Sequence, residues 1–416
     1  MPRSNPSTEI TQPTPTEATA PVIEGGRGYL ADMASRLAPY FTRSESRHRV
    51  MAYLQGLLSE AERKNSWQVA EVCGEPTPYA FQYLLSRAEW DAEAVRDELR
   101  TYVIQHLGAP HGVLVLDETG FVKKGRHSAG VARQYTGTVG KVENCQIGVF
   151  LGYASPLGHA LLDRELYLPK EWTDDPERCR QAGIPADRPF ATKPQLAKAM
   201  LQHALTAGIP AKWVTGDSVY GDDRRLRVWL EGQRQAYVLA VSGKEYVWLD
   251  GRQRQVKTLL ATLPAEGWTR LSAGDGTKGP RWYDWCWLPL AAPLAPGWRR
   301  WLLVRRSVSA PVELTAFVVF GRQAITLEEV VRVAGSRWAI ESCFEAAKGA
   351  VGLDQYEVRS WTGWYRHITL AMWALALLTM MRAGMIAIEA LKKSLPPPQA
   401  ASSLAAFKAR RGLASH

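Results

Sequence analysis

The sequence predicts an α/β fold that is preceded by an α-helical region and interrupted by a β-rich insertion. From about residue 29 to 107 the apolar side chains follow helical spacing throughout. From 108 to 241 compact apolar strands alternate with amphipathic helices, which is typical of an α/β layer. From 242 to 325 strand-like runs such as "ELTAFVVFGR" replace helical periodicity, and helical spacing returns from 326 to 394.

The N-terminal part of the sequence suggests a leader followed by a nucleic-acid-binding region. Residues 1–28 are rich in Pro and Thr and lack an apolar segment, so we expect a disordered leader rather than a signal peptide. "NSWQVAEVCG" and "PTPYAFQYLLSR" predict two short helices around a turn at Gly74 and Pro76, as in a helix-turn-helix. We therefore interpret 29–107 as a DNA-binding domain, although ordinary helical bundles contain similar pairs.

The last part of the chain contains two further helical patterns. "SRWAIESCFEAAKGAVG", residues 336–352, predicts an amphipathic helix. "ITLAMWALALLTMM" is an apolar run of about fourteen residues, shorter than the roughly twenty that a membrane-spanning helix needs, so a buried core helix is expected. A Pro-rich linker then leads into a short basic tail at 395–416.

Composition limits the class of protein. The chain has 416 residues, a net charge of +10 and a pI of about 9.3, which fits a nucleic-acid partner. Its five cysteines are scattered and form no C-x-x-C pair, which disfavours a zinc ribbon or a disulfide framework and favours a reducing compartment.

Two predicted strands end in an aspartate, namely Asp117 in "GVLVLDETG" and Asp217 in "KWVTGDSVYG". Strand ends at the carboxyl edge of an α/β sheet are where functional residues collect, although an aspartate there is more often a turn or helix N-cap residue. Glu118 follows directly, and in a continuing strand it would point to the opposite face.

The helix at 336–352 places a cation, an anion and a second cation on one face. Arg337, Glu341 and Lys348 are four and then seven residues apart, which brings them within roughly 40° of each other around the helix. This pattern fits a solvated salt-bridge ladder, and it also fits a catalytic carboxylate flanked by two phosphate-binding residues. Glu345, one turn further on, is a competitor for the role of Glu341.

Together, Asp117, Asp217 and Glu341 suit metal-assisted chemistry at phosphorus. Hard divalent cations such as Mg²⁺ prefer oxygen ligands and are held by a few carboxylates plus substrate phosphate. Two such ions can stabilise the attacking and leaving oxygens of an in-line displacement. Neighbouring Arg and Lys side chains can hold the flanking phosphates.

A basic segment follows the first of these aspartates. "VKKGRHSAGVARQYTGTVGK" has little apolar content and fits a loop or hairpin that tracks a phosphate backbone, or else an ordinary solvated loop. Its candidate DNA-binding residues are Lys123, Lys124, Arg126, Arg133 and Lys141.

These residues carry a resemblance to a known family. The order Asp117, Asp217, β-rich insertion and Glu341, with R-x3-E-x6-K in the last helix, resembles the DDE transposases, and more narrowly the insertion sequence 701 group close to insertion-sequence family four. Residues 337, 341 and 348 match three positions of the signature Y-x2-R-x3-E-x6-K, whereas its Tyr position falls on Ala334. "LDETGF", "RQYTGTVGKVENCQ" and "GDSVYG" are also similar to this group.

The resemblance implies an RNase H-like catalytic core formed by 108–241 and 326–394 and interrupted by the insertion at 242–325. It implies that Asp117, Asp217 and Glu341 are catalytic and bind two Mg²⁺ ions, with Mn²⁺ able to substitute, and that Arg337 and Lys348 contact DNA. The implied reaction is cut-and-paste transposition through a DNA hairpin.

The same resemblance implies the partners and the location of the protein. The partners are the terminal inverted repeats of an element and target DNA, held by a homodimer in a synaptic complex without a membrane. The location is the bacterial cytoplasm, in association with the nucleoid.

In related transposases the insertion stacks a flipped base, and five insertion tryptophans are candidates, although alternating aromatic residues more often fill a core. They are Trp282, Trp285, Trp287, Trp298 and Trp301. Three rival interpretations stay open: a domesticated relative that binds DNA without transposing, another RNase H-like nuclease, and a DNA-binding regulator whose α/β part only dimerises.

Overall fold

The structure is a computed structural model that describes residues 20–263, 266–276, 279–291 and 294–394, with side chains between 28 and 384. One compact unit comprises Asp32–Thr379 and contains every strand given below. The second unit comprises the two ends of the chain, of which residues 20–31 and 380–394 are described. The predicted basic tail and most of the predicted leader lie outside the described residues.

The N-terminal region is helical, as the periodicity predicted. Its helices are α1 (Ala20–Leu37), α2 (Ser44–Leu58), α3 (Ser66–Val72), α4 (Tyr79–Ser86) and α5 (Ala92–Leu107), with a 3-10 turn at Ala38–Tyr40. Helix α1 begins inside the segment 1–28 that was predicted to be disordered. The predicted helix pair corresponds to α3 and α4. Asn65 caps α3 by accepting hydrogen bonds from the backbone N–H groups of Trp67 and Gln68.

Helix α5 belongs to the same compact unit as the sheet. Its apolar face, which includes Val95, Leu99 and Val103, is fully buried. The Trp373 indole donates a hydrogen bond to the carbonyl of Val95 across 3.0 Å. Residue 107 therefore marks a change from helix to strand and does not separate two independently packed bodies.

One mixed sheet of ten strands forms the centre of the protein. Its first six strands along the chain are β1 (Gly112–Val122), β2 (Ala132–Thr136), β3 (Lys141–Ser155), β4 (Gly158–Tyr167), β5 (Ala211–Gly216) and β6 (Ala236–Val241). The helices between them are α6 (Lys170–Thr173), α7 (Pro176–Gln181), α8 (Lys193–Thr206), α9 (Ser218–Gly221) and α10 (Arg224–Gly232). The strand order is β2-β3-β1-β5-β6, and β4 pairs with β3. The alternation predicted from the sequence is therefore present.

The segment predicted as a β-rich insertion mostly extends this same sheet. It contains a hairpin of β7 (Tyr246–Leu249) and β8 (Arg252–Gln255), helix α11 (Val256–Ala261), and strands β9 (Thr269–Gly276), β10 (Gly279–Leu290), β11 (Trp298–Ser307) and β12 (Leu314–Arg322). Strand β12 pairs antiparallel with β6, and β11, β10 and β9 follow outward. Backbone hydrogen bonds therefore continue from β6 into this segment. Among its described strands, β7 and β8 alone form a separate two-stranded sheet.

Three helices complete the described chain: α12 (Leu327–Ser336), α13 (Trp338–Val351) and α14 (Trp361–Ser394). The stretch Trp361–Gly384 is long and apolar enough to cross a membrane, but 67% of its most apolar window is buried inside the protein. Trp364, Ile368 and Trp373 are fully buried. Packing in the protein therefore accounts for this apolar run, as expected for a core helix.

Candidate active site

Two neighbouring parallel strands place the two aspartates side by side. Strand β1 pairs with β5 so that Leu116 lies opposite Gly216. The next residues in the chain are Asp117, within β1, and Asp217, directly after β5. Both follow buried apolar runs, and Asp217 follows the end of β5 as the sequence predicted. The prediction that the first strand ends at Asp117 is wrong, because β1 continues to Val122 through its pairing with β3, and only its pairing with β5 stops at Leu116.

Asp217 also caps a short helix. Its Oδ1 accepts a hydrogen bond from the backbone N–H of Val219 across 2.9 Å, at the start of α9. Gly221, at the end of α9, lies so close to β6 that a Cβ atom would be 1.7 Å from the carbonyl oxygen of Ala240. The motif "GDSVYG" thus fixes the backbone around Asp217. The helix cap uses only Oδ1, and Oδ2 accepts no hydrogen bond from the described residues.

Helix α13 carries the third acid to the same place. The Phe344 ring packs against Phe150, with centroids 5.3 Å apart, and Phe150 is the direct partner of Asp117 across the β1–β3 ladder. Ile340 packs against Gly152 on the same strand. Glu341, which is half exposed, therefore lies on the side of the helix next to the strand-end acids.

Arg337 joins the acids into one cluster. It lies at the junction between α12 and α13, with helical backbone angles. One guanidinium nitrogen is 2.9 Å from Glu341 Oε1, and another is 3.6 Å from Asp117 Oδ2. The guanidinium thus provides a counter-charge between two carboxylates that come from different elements.

Burial makes both aspartates hard to ionise. Asp117 has only 14% of its side chain exposed, and this burial raises its pKa to about 7, with Arg337 opposing the rise and Asp217 adding to it. Burial also raises the pKa of Asp217, and the Glu118 carboxylate adds to that shift. Buried carboxylates whose ionisation is opposed by neighbouring negative charge form a place where a bound cation is favourable.

The donor chemistry fits a hard divalent cation. Asp117, Asp217 and Glu341 offer carboxylate oxygens, the ligand type that Mg²⁺ prefers. In the described part of the chain, no three His, Cys, Asp or Glu side chains are arranged as a complete metal-binding group. In this arrangement the Arg337 guanidinium contacts both Asp117 and Glu341.

A fourth carboxylate, Glu118, has partners on other elements than those that contact Asp117. Glu118 accepts hydrogen bonds from Lys193 Nζ and from the Tyr220 hydroxyl, each across 2.7 Å. Its negative charge adds to the rise in the pKa of Asp217. Because β1 continues without a register shift at these residues, Glu118 alternates with Asp117 as expected for a continuing strand, and α8 and α9 supply its partners.

Lys348 is anchored within the protein. Its ammonium donates hydrogen bonds to the carbonyl of Gly120 and to Thr138 Oγ1, each across 3.1 Å. Burial lowers the pKa of this lysine. Gly120 has no room for a side chain, because a Cβ atom would be 1.9 Å from Thr136 Oγ1. Lys348 therefore ties α13 to the end of β1 and to the β2–β3 turn.

The basic segment after Asp117 divides into exposed and inward-facing residues. Lys123 faces inward: its Nζ donates to the Tyr356 carbonyl and lies 3.4 Å from the centroid of the Tyr356 ring, and burial lowers its pKa to about 8. Lys123 therefore packs against Tyr356, and it does not extend outward as a residue that tracks a phosphate backbone would. The other four residues are exposed: Lys124, Arg126, Arg133 and Lys141. Arg133 and Lys141 lie on the β2–β3 hairpin.

Most of the candidate tryptophans fill the core. Trp285, Trp298 and Trp301 are buried, and Trp287 stacks on Trp301 with centroids 4.9 Å apart. Of the five candidates only Trp282 is largely exposed, at 53%. Core packing therefore explains four of them.

Residues 36–259, more than half of the chain, match the family described as the DDE superfamily endonucleases. The chain belongs to this endonuclease superfamily. The match covers Asp117 and Asp217 and ends before Glu341. Divalent metal ions serve this superfamily in general, which agrees with the oxygen donors at the strand ends.

The most informative curated relative is named a probable transposase for insertion sequence element IS701, from Microchaete diplosiphon. It is 28% identical over 204 residues, which cover 48% of this chain and 50% of the relative. The chain thus spans about half the length of that relative. The family match and this similarity confirm the resemblance to DDE transposases of the insertion sequence 701 type.

Among solved structures, the catalytic domain of human endonuclease V aligns with 62% of this chain and 97% of its own length. The identity is 11% and the TM-score is 0.24, so the likeness supports no conclusion about fold or function.

Proposed function

We propose that the protein is a DNA transposase that cleaves the ends of its element and joins them to target DNA. The observation that carries this proposal is the placement of Asp117 and Asp217 directly after the last paired residues of two adjacent parallel strands, with Glu341 linked to Asp117 through Arg337. This arrangement suits attack of an oxygen on a phosphodiester. Belonging to the endonuclease superfamily and similarity to a transposase support it.

The proposed reaction consists of two kinds of attack at phosphorus. In the first, water attacks a phosphodiester at the element end, the bond to the 3′ oxygen breaks, and that oxygen takes a proton to leave a 3′-hydroxyl. In the second, this hydroxyl attacks another phosphodiester, so that one P–O bond forms as another breaks. Attack on the opposite strand would give a hairpin, whose opening precedes joining to the target.

Asp117, Asp217 and Glu341 are the residues that would hold the divalent metal. Bound Mg²⁺ would supply Lewis-acid stabilisation of the negative charge at the reacting phosphate. If Asp117 and Glu341 held a metal, Arg337 would be free of these two partners, and its guanidinium could bind the DNA backbone next to the scissile bond.

The DNA surface that we propose continues outward from these acids. The exposed Lys124, Arg126, Arg133 and Lys141 would contact phosphates, and Lys348 would add its positive charge beside them. If a flipped base is stacked, Trp282 is the accessible candidate of the five. Transposition joins two element ends, so we propose that a homodimer acts in the cytoplasm, on DNA of the nucleoid.

The proposal is tested by cleavage of duplex DNA taken from both flanks of the gene. Purified wild-type protein with Mg²⁺ is expected to cut at the element ends. Asp117→Ala, Asp217→Ala and Glu341→Ala are each expected to abolish cutting while gel-shift binding is retained, because binding depends on phosphate contacts and not on the acids.

Glu345→Ala is the matched control, since Glu345 is an exposed carboxylate one turn further along the same helix. It is expected to cut at the wild-type rate. If Glu341→Ala still cuts DNA and Glu345→Ala does not, the third catalytic acid is Glu345. Wild-type protein that binds the flanks and never cuts them would instead favour a DNA-binding regulator or domesticated relative.

A further inference from the structure

A bulge interrupts the pairing of β9 with β10 at the outer edge of the sheet. The register of the two strands shifts so that Ala273 and Gly274 together lie opposite Arg281. Gly274 has a φ of +94°, a left-handed conformation that glycine adopts without strain. A bulge takes backbone groups out of the regular ladder of strand hydrogen bonds, so the carbonyl of Ala273 is available to a side-chain donor.

Arg281 uses one guanidinium nitrogen to hold this bulge and helix α12 together. Its Nη2 donates to the carbonyl of Ala273 across 2.8 Å and to the carbonyl of Gly335 across 3.0 Å. Gly335 lies in the last turn of α12, where backbone carbonyls need partners from outside the helix and a cation is favourable. The fit is close, because a Cβ atom at Gly335 would be 1.9 Å from the carbonyl oxygen of Ala273.

The same guanidinium also lies against the start of helix α13. Its central carbon is 5.3 Å from the centroid of the Trp338 ring, which is within the range of a cation–π contact. Arg337 is the single residue between α12 and α13, so Arg281 contacts the chain on both sides of it. The Arg337 side chain in turn contacts Asp117 and Glu341.

We propose that Arg281 is a positioning residue that holds the junction of α12 and α13, so that Arg337 stays in contact with Asp117 and Glu341. For the role of these acids in cleavage, this inference rests on the proposed function. It gives the outer strands of the β-rich segment a task in arranging the active site that is separate from contact with DNA.

The first test measures hydrogen–deuterium exchange of the full-length protein without DNA or metal, with peptides resolved by mass spectrometry. Arg281→Met removes every donor and keeps an unbranched side chain. We expect backbone amides in residues 333–345, which span the junction, to exchange about ten- to a hundredfold faster. The reason is that opening the junction no longer breaks hydrogen bonds from a charged donor.

Arg306→Met is the matched control. Arg306 is also a strand arginine with an acceptor and an indole ring as partners, but these are Asp284 and Trp268, both within the β-rich segment. Its replacement is expected to leave exchange at 333–345 unchanged. If exchange in Arg281→Met rises equally throughout the protein while Tm falls, Arg281 only stabilises the fold and the inference is overturned. Unchanged exchange at the junction overturns it as well.

The second test asks whether Arg281 acts through Arg337. Single-turnover cleavage of the flanking DNA is compared for Arg281→Met, Arg337→Lys and the double variant. Each single variant is expected to cut more slowly than the wild type, and the double variant no more slowly than the slower single one, because both changes disturb the same contact. If the two losses in rate multiply, the residues act independently and the inference is overturned. A wild-type rate in Arg281→Met also overturns it.

The two tests together distinguish failure of this inference from failure of the proposed function. Faster exchange confined to the junction, in a protein whose wild-type form never cuts DNA, would sustain the role of Arg281 at the junction and remove the transposase proposal. Cutting by the wild type, with unchanged exchange and an unchanged rate in Arg281→Met, would sustain the transposase proposal and overturn the inference.

Discussion

Arg337 shows how one side chain can link elements that are far apart in the sequence. It contacts Glu341 on its own helix and Asp117, which lies on the strand 220 residues earlier in the numbering. The simple ladder of charges along one helix face, which the sequence also allowed, explains only the first contact. The contact with Asp117 requires β1 to lie close to α13. The packing of Phe344 on Phe150, which is the cross-strand partner of Asp117, brings them together.

Arg337→Lys is expected to lower the cleavage rate roughly ten- to a hundredfold, because a single ammonium cannot reproduce the planar two-sided contact of a guanidinium. That range corresponds to the loss of one charge-assisted hydrogen bond, about 1.5–3 kcal/mol. Single-turnover cleavage and thermal melting of the variant are the measurements. If Arg337→Lys cleaves DNA at the wild-type rate, Arg337 forms only an ordinary surface ion pair.

Lys348→Ala serves as the comparison for Arg337→Lys, because Lys348 is bonded to the Gly120 carbonyl and Thr138. Its replacement is expected to lower both the cleavage rate and Tm, since the end of β1 loses its tie to α13. A fall in Tm in Arg337→Lys of the same size would indicate that Arg337 too is mainly structural.

At the scale of elements, α4 has two chemically different faces. Phe81, Leu84 and Leu85 are buried, whereas Gln82 and Tyr83 are exposed. The guanidinium of Arg49, from α2, lies 5.9 Å from the centre of the Tyr83 ring. Within α4 itself no residue is acidic, so the exposed face is compatible with the groove of DNA.

Gln82→Ala is expected to reduce the preference for element-end DNA over random duplex by about 1–3 kcal/mol, the value of a good side-chain contact to a base edge. Affinity for random duplex is expected to stay unchanged. Competition gel shifts at several salt concentrations measure both quantities. Gln202→Ala, an exposed glutamine on α8, is the control, and an equal effect in that variant would argue against α4 as the reading helix.

Removal of the entire region 29–107 would be a poor test of DNA binding. Helix α5 contributes a buried face to the unit that contains the sheet, and its loss would expose that core. Surface substitutions on α4 leave the packing intact, so they separate recognition from folding.

The sequence predicted most elements and the order of the acids, because hydrophobic periodicity and strand-end polarity are local signals. It did not predict that β12 pairs with β6, because pairing between distant strands depends on their three-dimensional neighbours and leaves no local trace. For the same reason the partners of Glu118, which come from α8 and α9, were not predicted. The inward turn of Lys123 depends on Tyr356, which is more than two hundred residues away in the chain.

At the scale of the whole molecule, a buried ionic cluster holds three elements together. Asp163 on β4 is 1% exposed and lies 2.5 Å from Arg96 Nη1 on α5. His203 Nδ1, on α8, is 3.9 Å from the other Asp163 oxygen, which is within ion-pair distance when the imidazole is protonated. Burial opposes the charge on Asp163, but His203 and Arg96 outweigh it and lower the pKa of this carboxyl.

This cluster predicts a pH-dependent contribution to stability. Asp163 raises the pKa of His203 above its usual value, so the stabilisation is complete below about pH 6.5 and is lost as pH rises through the folded-state pKa. His203→Gln is therefore expected to lower Tm near pH 6 and to have little effect near pH 9. Because the imidazole is half exposed, the effect should stay below about 1 kcal/mol. Equal Tm differences at the two pH values would contradict it.

Because β6 pairs with β12, one edge of β6 stays unpaired during synthesis until β12 has been made. All six residues of β6 are buried, yet β12 begins about 70 residues after β6 ends. At roughly 5–20 residues per second a ribosome needs about 4–15 s to reach it. During that interval one edge of an apolar strand has no partner, so we expect the nascent chain to depend on chaperones until β12 emerges.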